Sequence, residues 1–274
     1  MSGQIMSRIG QTPPLDLNPR TIAHERAPRN VVGYARDYPD GYATERHLHA
    51  RAQLLYTLSG VLRVTTDDAS FAIPPASGLF LPADLPHAVR MDGPVAMRAL
   101  FLRDDAACVA PPGATVIAVS PLLRELILGA CAEPLDWDPK GRGGHLAALA
   151  LDEIAHARTL PLALPVPRDP RLLRLTDRLR ARPDDGRGLD AWASEAGASV
   201  RTLARLFRRE TGMSFQQWRR QLRLTEAVAL LSAGATPARA AARVGYASTP
   251  AFGAALRATF GVTPGRMAVF STPG

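Results

Sequence analysis

The sequence predicts a two-domain chain, all-β toward the N-terminus and all-α toward the C-terminus. Three observations carry this. Before residue 109 the apolar residues fall in short runs broken by Gly, Pro and Asp, the pattern of short strands in a sandwich or barrel. From residue 171 onward apolar residues recur at helical spacing, with Gly, Ser, Thr or Pro at the segment ends. Charge divides the same way: from Arg168 to the C-terminus there are 18 Arg against 8 acidic residues, a net +10. The preceding 167 residues carry 15 basic and 17 acidic groups, a net −2. A near-neutral domain joined to a basic one suggests a polyanion-binding module with a separate partner domain.

Taken in order, residues 1–22 lack the basic-then-apolar pattern of a signal peptide and are expected to form a flexible tail. Strands are expected within 53–66, 69–75, 78–91 and 94–102. "VAPPGATV" (109–116) closes this region. Helical periodicity follows in 120–132 and 145–158, with Ser120 as N-cap and Pro121 at the first helical position. The apolar positions Leu122, Leu126, Leu146 and Leu149 must bury against the barrel or a second subunit, so 107–159 reads as a helical connector. "LPLALPVPRDP" (160–170) cannot be a helix interior and reads as an extended linker. No run approaches the ~18 apolar residues of a membrane span. Cys108 and Cys131, without CxxC spacing, point to a reduced, cytoplasmic protein.

The C-terminal domain (171–274) contains two helix-turn-helix patterns, about 189–209 and 237–258. In "LDAWASEAGASVRTLARLF", Trp192, Ala196, Leu203 and Leu206 fall where two crossing helices pack, and Ala193 is small where they touch. Gly197 sits at the turn and Ser199 caps the second helix. Ala241 and Gly245 repeat the placement of Ala193 and Gly197, 48 residues later, with a long helix from about Ser214 to Ser232 between, anchored by Trp218, Leu222 and Leu230. The second helix of each unit is the expected reader. Arg201 and Arg205 are candidates for guanine contacts and Thr202 for a thymine methyl. Arg208, Arg209, Arg219 and Arg220 are candidates for phosphate. The second reader offers only Ser248, Thr249 and Arg257, so the first unit is expected to carry most of the specificity. "LARLFRRETGMSFQQWRRQLRLTEAVALL" and "AARVGYASTPAFGAALRATFGVTPGRM", with Gly261 and Pro264, closely resemble the DNA-binding domain of AraC-type transcription regulators. The resemblance implies two subdomains reading successive major-groove segments of double-stranded DNA about one turn apart.

The N-terminal region poses the harder question. On a strand, His47 and His49 share a face. Gly41, His47, His49, Gln53 and Gly60 resemble the first cupin motif over roughly 25–105, with Gln53 where metal-binding cupins usually have Glu. Gly78, Pro82 and His87 resemble the second, with Asp84 where Gly is usual. The resemblance implies an all-β cupin-like barrel (23–106) in which His47, His49, Gln53 and His87 converge. Three imidazoles and an amide oxygen suit Zn, Ni, Fe or Mn. The same groups could instead hydrogen-bond an organic effector. Loss of the Glu carboxylate removes a charge and a base, which argues against catalysis. His24, His145 and His156 are expected at the surface or in packing. The leading expectation is a non-enzymatic, sequence-specific transcription regulator that senses a metal or small molecule, with a homodimer and RNA polymerase as candidate associations. The competing expectation is a cupin metalloenzyme, of dioxygenase or isomerase type, fused to a DNA-targeting domain.

Overall fold

The structure, a computed structural model, describes residues 21–260 and 263. Gly261, Pro264 and residues 1–20 of the expected tail lie outside the described residues; Thr21 and Ile22 lead into a short helix. The strands, in chain order, are β1 (Val31–Tyr38), β2 (Ala52–Thr57), β3 (Val61–Thr65), β4 (Ala69–Ile73), β5 (Ser77–Leu81), β6 (Ala88–Asp92), β7 (Val95–Leu102), β8 (Thr115–Ala118) and β9 (Ala163–Pro165). They form two antiparallel sheets, ordered β1-β7-β2-β5-β8 and β6-β3-β4-β9. Alternation along each strand sends one set of side chains inward. Leu62, Val64, Phe71 and Ile73 of the second sheet thereby share a core with Leu55, Leu79, Leu81 and Phe101 of the first.

Among the described residues the N-terminal domain also holds four helices: α1 (Ile22–Glu25), α2 (Asp104–Ala107), α3 (Pro121–Ala132) and α4 (Arg142–His156). The outer face of the first sheet, with Leu54, Tyr56, Phe80 and Leu100, packs under α3 and α4 through Leu123, Ile127, Ala130, Ala147 and Ile154. Ser120 Oγ accepts from Leu123 N at 3.0 Å, and Pro121 opens α3 as expected. Leu126 is buried and Leu146 half-buried, but Leu122 and Leu149 each remain 50% exposed. The two helices therefore serve mainly as a lid on the barrel and keep a partly apolar outer rim.

Two expectations need correction. β8 lies inside the stretch expected to be a helical connector, where it pairs with β5. The Pro-rich linker is extended, yet it is no free spacer. Ala163–Pro165 adds an edge strand to β4, with Pro165 opposite Ala69. Proline has no N–H to give to a ladder, and an edge position asks for none.

The C-terminal domain holds α5 (Pro170–Ala181), α6 (Leu189–Glu195), α7 (Val200–Thr211), α8 (Phe215–Ser232), α9 (Pro237–Arg243) and α10 (Thr249–Phe260). α5–α7 and the first half of α8 share a core with Leu175, Trp192, Leu203, Phe207 and Trp218. The rest of α8 packs with α9 and α10 through Leu231, Val244, Phe252 and Leu256. Ser214 and Gln217 close a capping box at the start of α8. Trp218 and Leu222 are fully buried anchors, whereas Leu230 is only half-buried and Leu231 takes its place. No helix among the described residues is long and apolar enough to cross a membrane.

The domains are closely docked. Arg63 on β3 makes a two-pronged contact with Glu226 on α8, at 2.7 and 2.8 Å. Trp218 Nε1 donates to the carbonyl of Pro165 at 2.9 Å, tying the helical core to β9. Arg180 Nη2 reaches Ser70 Oγ at 3.2 Å.

Candidate functional site

The barrel brings His47, His49 and His87 together as the sequence predicts, with one potential ligand atom of each within 4.8 Å of the others. His47 and His87 face each other across an antiparallel bridge, each donating its backbone N–H to the other's carbonyl at 2.9 and 2.8 Å. His49 follows two residues after His47, and its carbonyl accepts from Asp84 N at 2.8 Å. Asp84 adopts φ +57°, the left-handed conformation in which a Gly would be easiest. Asp tolerates that region better than most residues, which accounts for its standing where cupins usually have Gly.

The imidazoles are oriented by what their other nitrogens touch. His47 Nδ1 lies 2.8 Å from the Glu45 carbonyl and His87 Nδ1 lies 2.8 Å from the Leu85 carbonyl. A carbonyl can only accept, so both Nδ1 atoms carry the proton and both Nε2 atoms carry a lone pair. His49 Nδ1 donates to Glu25 Oε1 at 2.6 Å, while Ala50 N donates to Glu25 Oε2 at 2.8 Å. A carboxylate behind a histidine is a common outer-shell partner of a metal ligand. Glu25, on α1, carries no sequence signal for this role: it lies outside both motifs and 24 residues before His49. Burial alone would raise its carboxyl, but the bonds from His49 and Ala50 outweigh it and hold the pKa below the ordinary value. Arg51, itself buried, donates to the carbonyls of Glu25, Ala27 and Arg29 and so fixes the segment that delivers Glu25.

Burial pushes the His47 imidazole down and the His87 imidazole down to about 3. Both are therefore neutral near pH 7, the form that can ligate. His87 Nε2 and Gln53 Oε1 are buried with no hydrogen-bond partner among the described residues. The cavity they share, also lined by Tyr34, Tyr38 and Phe101, has a volume of only about 30 Å³. Organic ligands of drug size need several hundred Å³, whereas one ion or one water fits here. Three nitrogens bound to one ion at ~2.1 Å each lie ~3.4–3.6 Å apart, so the triad, whose ligand atoms lie within 4.8 Å of one another, would have to contract by about an ångström to close on a metal. His24 packs edge-on against Tyr34 and tilted against Phe101, and His145 and His156 are exposed.

In the helical domain Gly197 and Gly245 take φ of +62° and +77° at equivalent turns. Ser199 Oγ accepts from Thr202 N at 3.1 Å and lies 2.9 Å from Thr202 Oγ1, which leaves the Thr202 methyl for a partner. Arg201, Arg205 and Arg208 are exposed and, among the described residues, make no ion pair. Arg209 is exposed and pairs with Glu210 at 3.1 Å. Arg219, grouped with the phosphate candidates, spends its donors internally, on the Arg187 carbonyl at 2.6 Å and on Gln216 at 2.8 Å, and stacks over Phe215. Arg220 remains exposed. In the second unit Ser248 Oγ accepts from Ala251 N at 3.3 Å, and Ser248, Thr249 and Arg257 are exposed. α9 adds exposed Arg239 and Arg243, two cations absent from the sequence-based selection.

Comparisons with known proteins give both domains relatives. A family model described as an AraC-like ligand binding domain matches residues 30–128, and a helix-turn-helix domain model matches residues 192–268. The chain is similar to the HTH-type transcriptional regulator NimR of Escherichia coli, 31% identical over 220 residues that make up 80% of each chain. It is also similar to the HTH-type transcriptional regulator RipA of Corynebacterium glutamicum, 37% identical over 101 residues, or 37% of this chain and 30% of that one. Among solved structures, ToxT of Vibrio cholerae aligns over 89% of this chain and all of that one, at 10% identity and a TM-score of 0.39.

Proposed function

The chain belongs to the AraC-type transcription regulators, with a ligand-binding domain ahead of a helix-turn-helix DNA-binding domain, and on that premise we propose that its barrel senses a divalent transition metal. The observation that carries this reading is the set of unmatched acceptors around a void of about 30 Å³: among the described residues His87 Nε2 and Gln53 Oε1 have no hydrogen-bond partner, and His47 and His49 have their Nδ1 atoms engaged elsewhere. A group of acceptors calls for a cation at their centre. His47, His49, His87 and Gln53 would hold the ion, and Glu25 would orient His49 from behind. Zn, Ni, Fe and Mn all suit three nitrogens and one oxygen. The ion would supply a fixed positive charge joining the β2 edge to the β5–β6 turn. It regulates only insofar as it binds two conformations unequally.

The C-terminal domain then reads operator DNA in the cytoplasm, the first unit supplying most base contacts through Arg201 and Arg205. A homodimer would cover Leu122 and Leu149 on α3 and α4, the two half-exposed leucines there. The metalloenzyme reading is set aside, because the family is one of regulators and Gln53 offers no carboxylate base.

The test is metal analysis of purified full-length protein after loading with Zn²⁺, together with operator selection in the presence and absence of chelator. About one equivalent of metal per chain, lost in His87→Ala, together with chelator-sensitive DNA affinity, is the expected result. Metal below a tenth of an equivalent after loading, with chelator-insensitive binding, would overturn it.

A further inference from the structure

The segment that joins the two domains meets both helix-turn-helix units in turn as it runs along α8 from Arg158 to Asp169. Leu162 is buried, and with Leu160 it lines one groove with Val228 of α8 and Phe260 of α10, in the second unit. Leu164, two residues on, is buried in the core of the first unit with Trp192, Phe207 and Trp218. Alternate residues of an extended chain share a face, so one face of the segment seals first against one unit and then against the other. Polar contacts follow the same course. The Pro161 carbonyl accepts from Gln221 and the Pro165 carbonyl from Trp218, both on α8. The segment is also fixed to the barrel. Its β9 stretch pairs with β4, Leu160 N donates to the Val116 carbonyl at 2.8 Å, and Val166 N donates to the Asp68 carbonyl at 2.9 Å.

Each end of the segment is fastened to the C-terminal end of a reading helix. Glu210, in the last turn of α7, accepts through Oε2 from the backbone N–H groups of Arg168 and Asp169, at 2.9 and 2.8 Å. Arg168 in turn pairs with Asp68 of the β3–β4 turn at 2.7 Å. At the other end, Arg158 Nη1 donates to the carbonyl of Phe260, at the end of α10, at 3.3 Å. The final carbonyls of a helix lack intrahelical partners and attract a cation. Pro161, Pro165 and Pro167 stiffen the stretch between the two fastenings. Without it the units would be joined through α8 alone, and a single helix can bend. A second tie alongside α8 resists that bending.

We infer that residues 158–169 are a brace that sets the distance and phase between the two reading helices, with Arg158 and Glu210 as the positioning residues at its ends. The inference rests on the reading that both units engage operator DNA. It makes the barrel a determinant of operator architecture, because a braced pair of readers accepts one separation of its two groove segments and rejects the neighbouring ones. One base pair added or removed between the segments rotates one against the other by roughly 35° and shifts it by about 3.4 Å. The brace keeps the units from following that displacement.

The experiment measures the affinity of the full chain for an operator recovered by selection, and for the same duplex with one base pair added or removed between the two groove segments. The intact chain is expected to lose about tenfold or more on either change. Arg158→Ala and Glu210→Ala should each cut that penalty at least threefold. The ratio cancels any general change in DNA affinity, including that from removing the Glu210 charge beside Arg209. Insertion of Gly-Gly between Pro167 and Arg168 slackens the brace without removing a side chain, so it keeps the test open if a point variant fails to fold; it should cut the penalty likewise. A penalty still within threefold of the intact chain's in any folded variant would overturn the inference. Indifference of the intact chain to spacing would sink the two-unit reading and the brace together, whereas spacing sensitivity retained in the variants sinks the brace alone.

Discussion

The two helix-turn-helix units share a skeleton and differ in surface chemistry. Each has a buried alanine at the helix crossing, Ala193 or Ala241, only 1% and 2% exposed. Each has a left-handed glycine at the turn and a serine before the second helix, with Ser199 and Ser248 both accepting from a backbone N–H three residues on. The first reading helix then exposes Arg201, Arg205, Arg208 and Arg209. The second exposes Thr249, Pro250, Ala251, Ala254, Arg257 and Ala258. The first helix can offer forked donors to guanine edges; the second mostly offers small side chains that allow close approach. The demands of the turn fix the backbone of both units and leave the outward face free to diverge.

The comparison can be broken first at the turns. A Cβ on Gly245 would lie 2.8 Å from Asp184 Cα, whereas one on Gly197 would meet nothing within 4 Å. Gly245→Ala therefore adds a backbone clash to left-handed strain and should cost about 2–4 kcal/mol of unfolding free energy, against about 1–2 kcal/mol for Gly197→Ala. Urea denaturation of the two variants reads the difference, and equal losses would mean that the second turn is as open as the first. Base preference comes next. Arg205→Ala should relax discrimination at one operator position by about 1–3 kcal/mol, and Arg257→Ala by less. Binding-site selection decides the order, and a larger effect at Arg257 would reverse the assignment of the reader. A smaller effect is expected at the cap: Ser199→Ala should cost about 1 kcal/mol of stability, with Ser248→Ala similar or less, since its bond is longer. The smallest change sharpens the distinction among the arginines. Arg208→Ala should reduce the salt slope of DNA binding by about one phosphate contact, while Arg219→Ala, whose donors are spent inside the domain, should leave the slope unaltered and lower the melting temperature.

Much of this was legible from sequence because local physics dictated it. Short apolar runs between turn residues located β2 to β7, and the caps Ser120 and Ser199 located helix starts. His47, His49 and His87 could be brought together from the spacing of the two motifs, although the structure joins them through an isolated His47–His87 bridge just ahead of β2 and β6, not through the strands themselves. What escaped depended on distant partners. Glu25 acquires its meaning only when α1 folds over His49. Arg219 is an exposed-looking cation in sequence, and only the fold supplies the Arg187 carbonyl that occupies it. β9 was hidden because Pro161, Pro165 and Pro167 signal an extended chain equally well for a spacer and for a sheet edge.

β9 also governs how the protein can be divided. A cut at the evident boundary, just before residue 160, would strip β4 of its neighbour and bare an unpaired edge that can recruit other chains. The released helical fragment would carry a three-residue strand with no sheet to join, held by the Trp218 indole, by Gln221 on the Pro161 carbonyl and by Leu164 in the helical core. Leaving 160–166 with the barrel protects β4 but removes the acceptor of the Trp218 indole. Either half made in isolation thus begins with a defect that the intact chain lacks, and stability measured on the pieces will fall short of that of the whole.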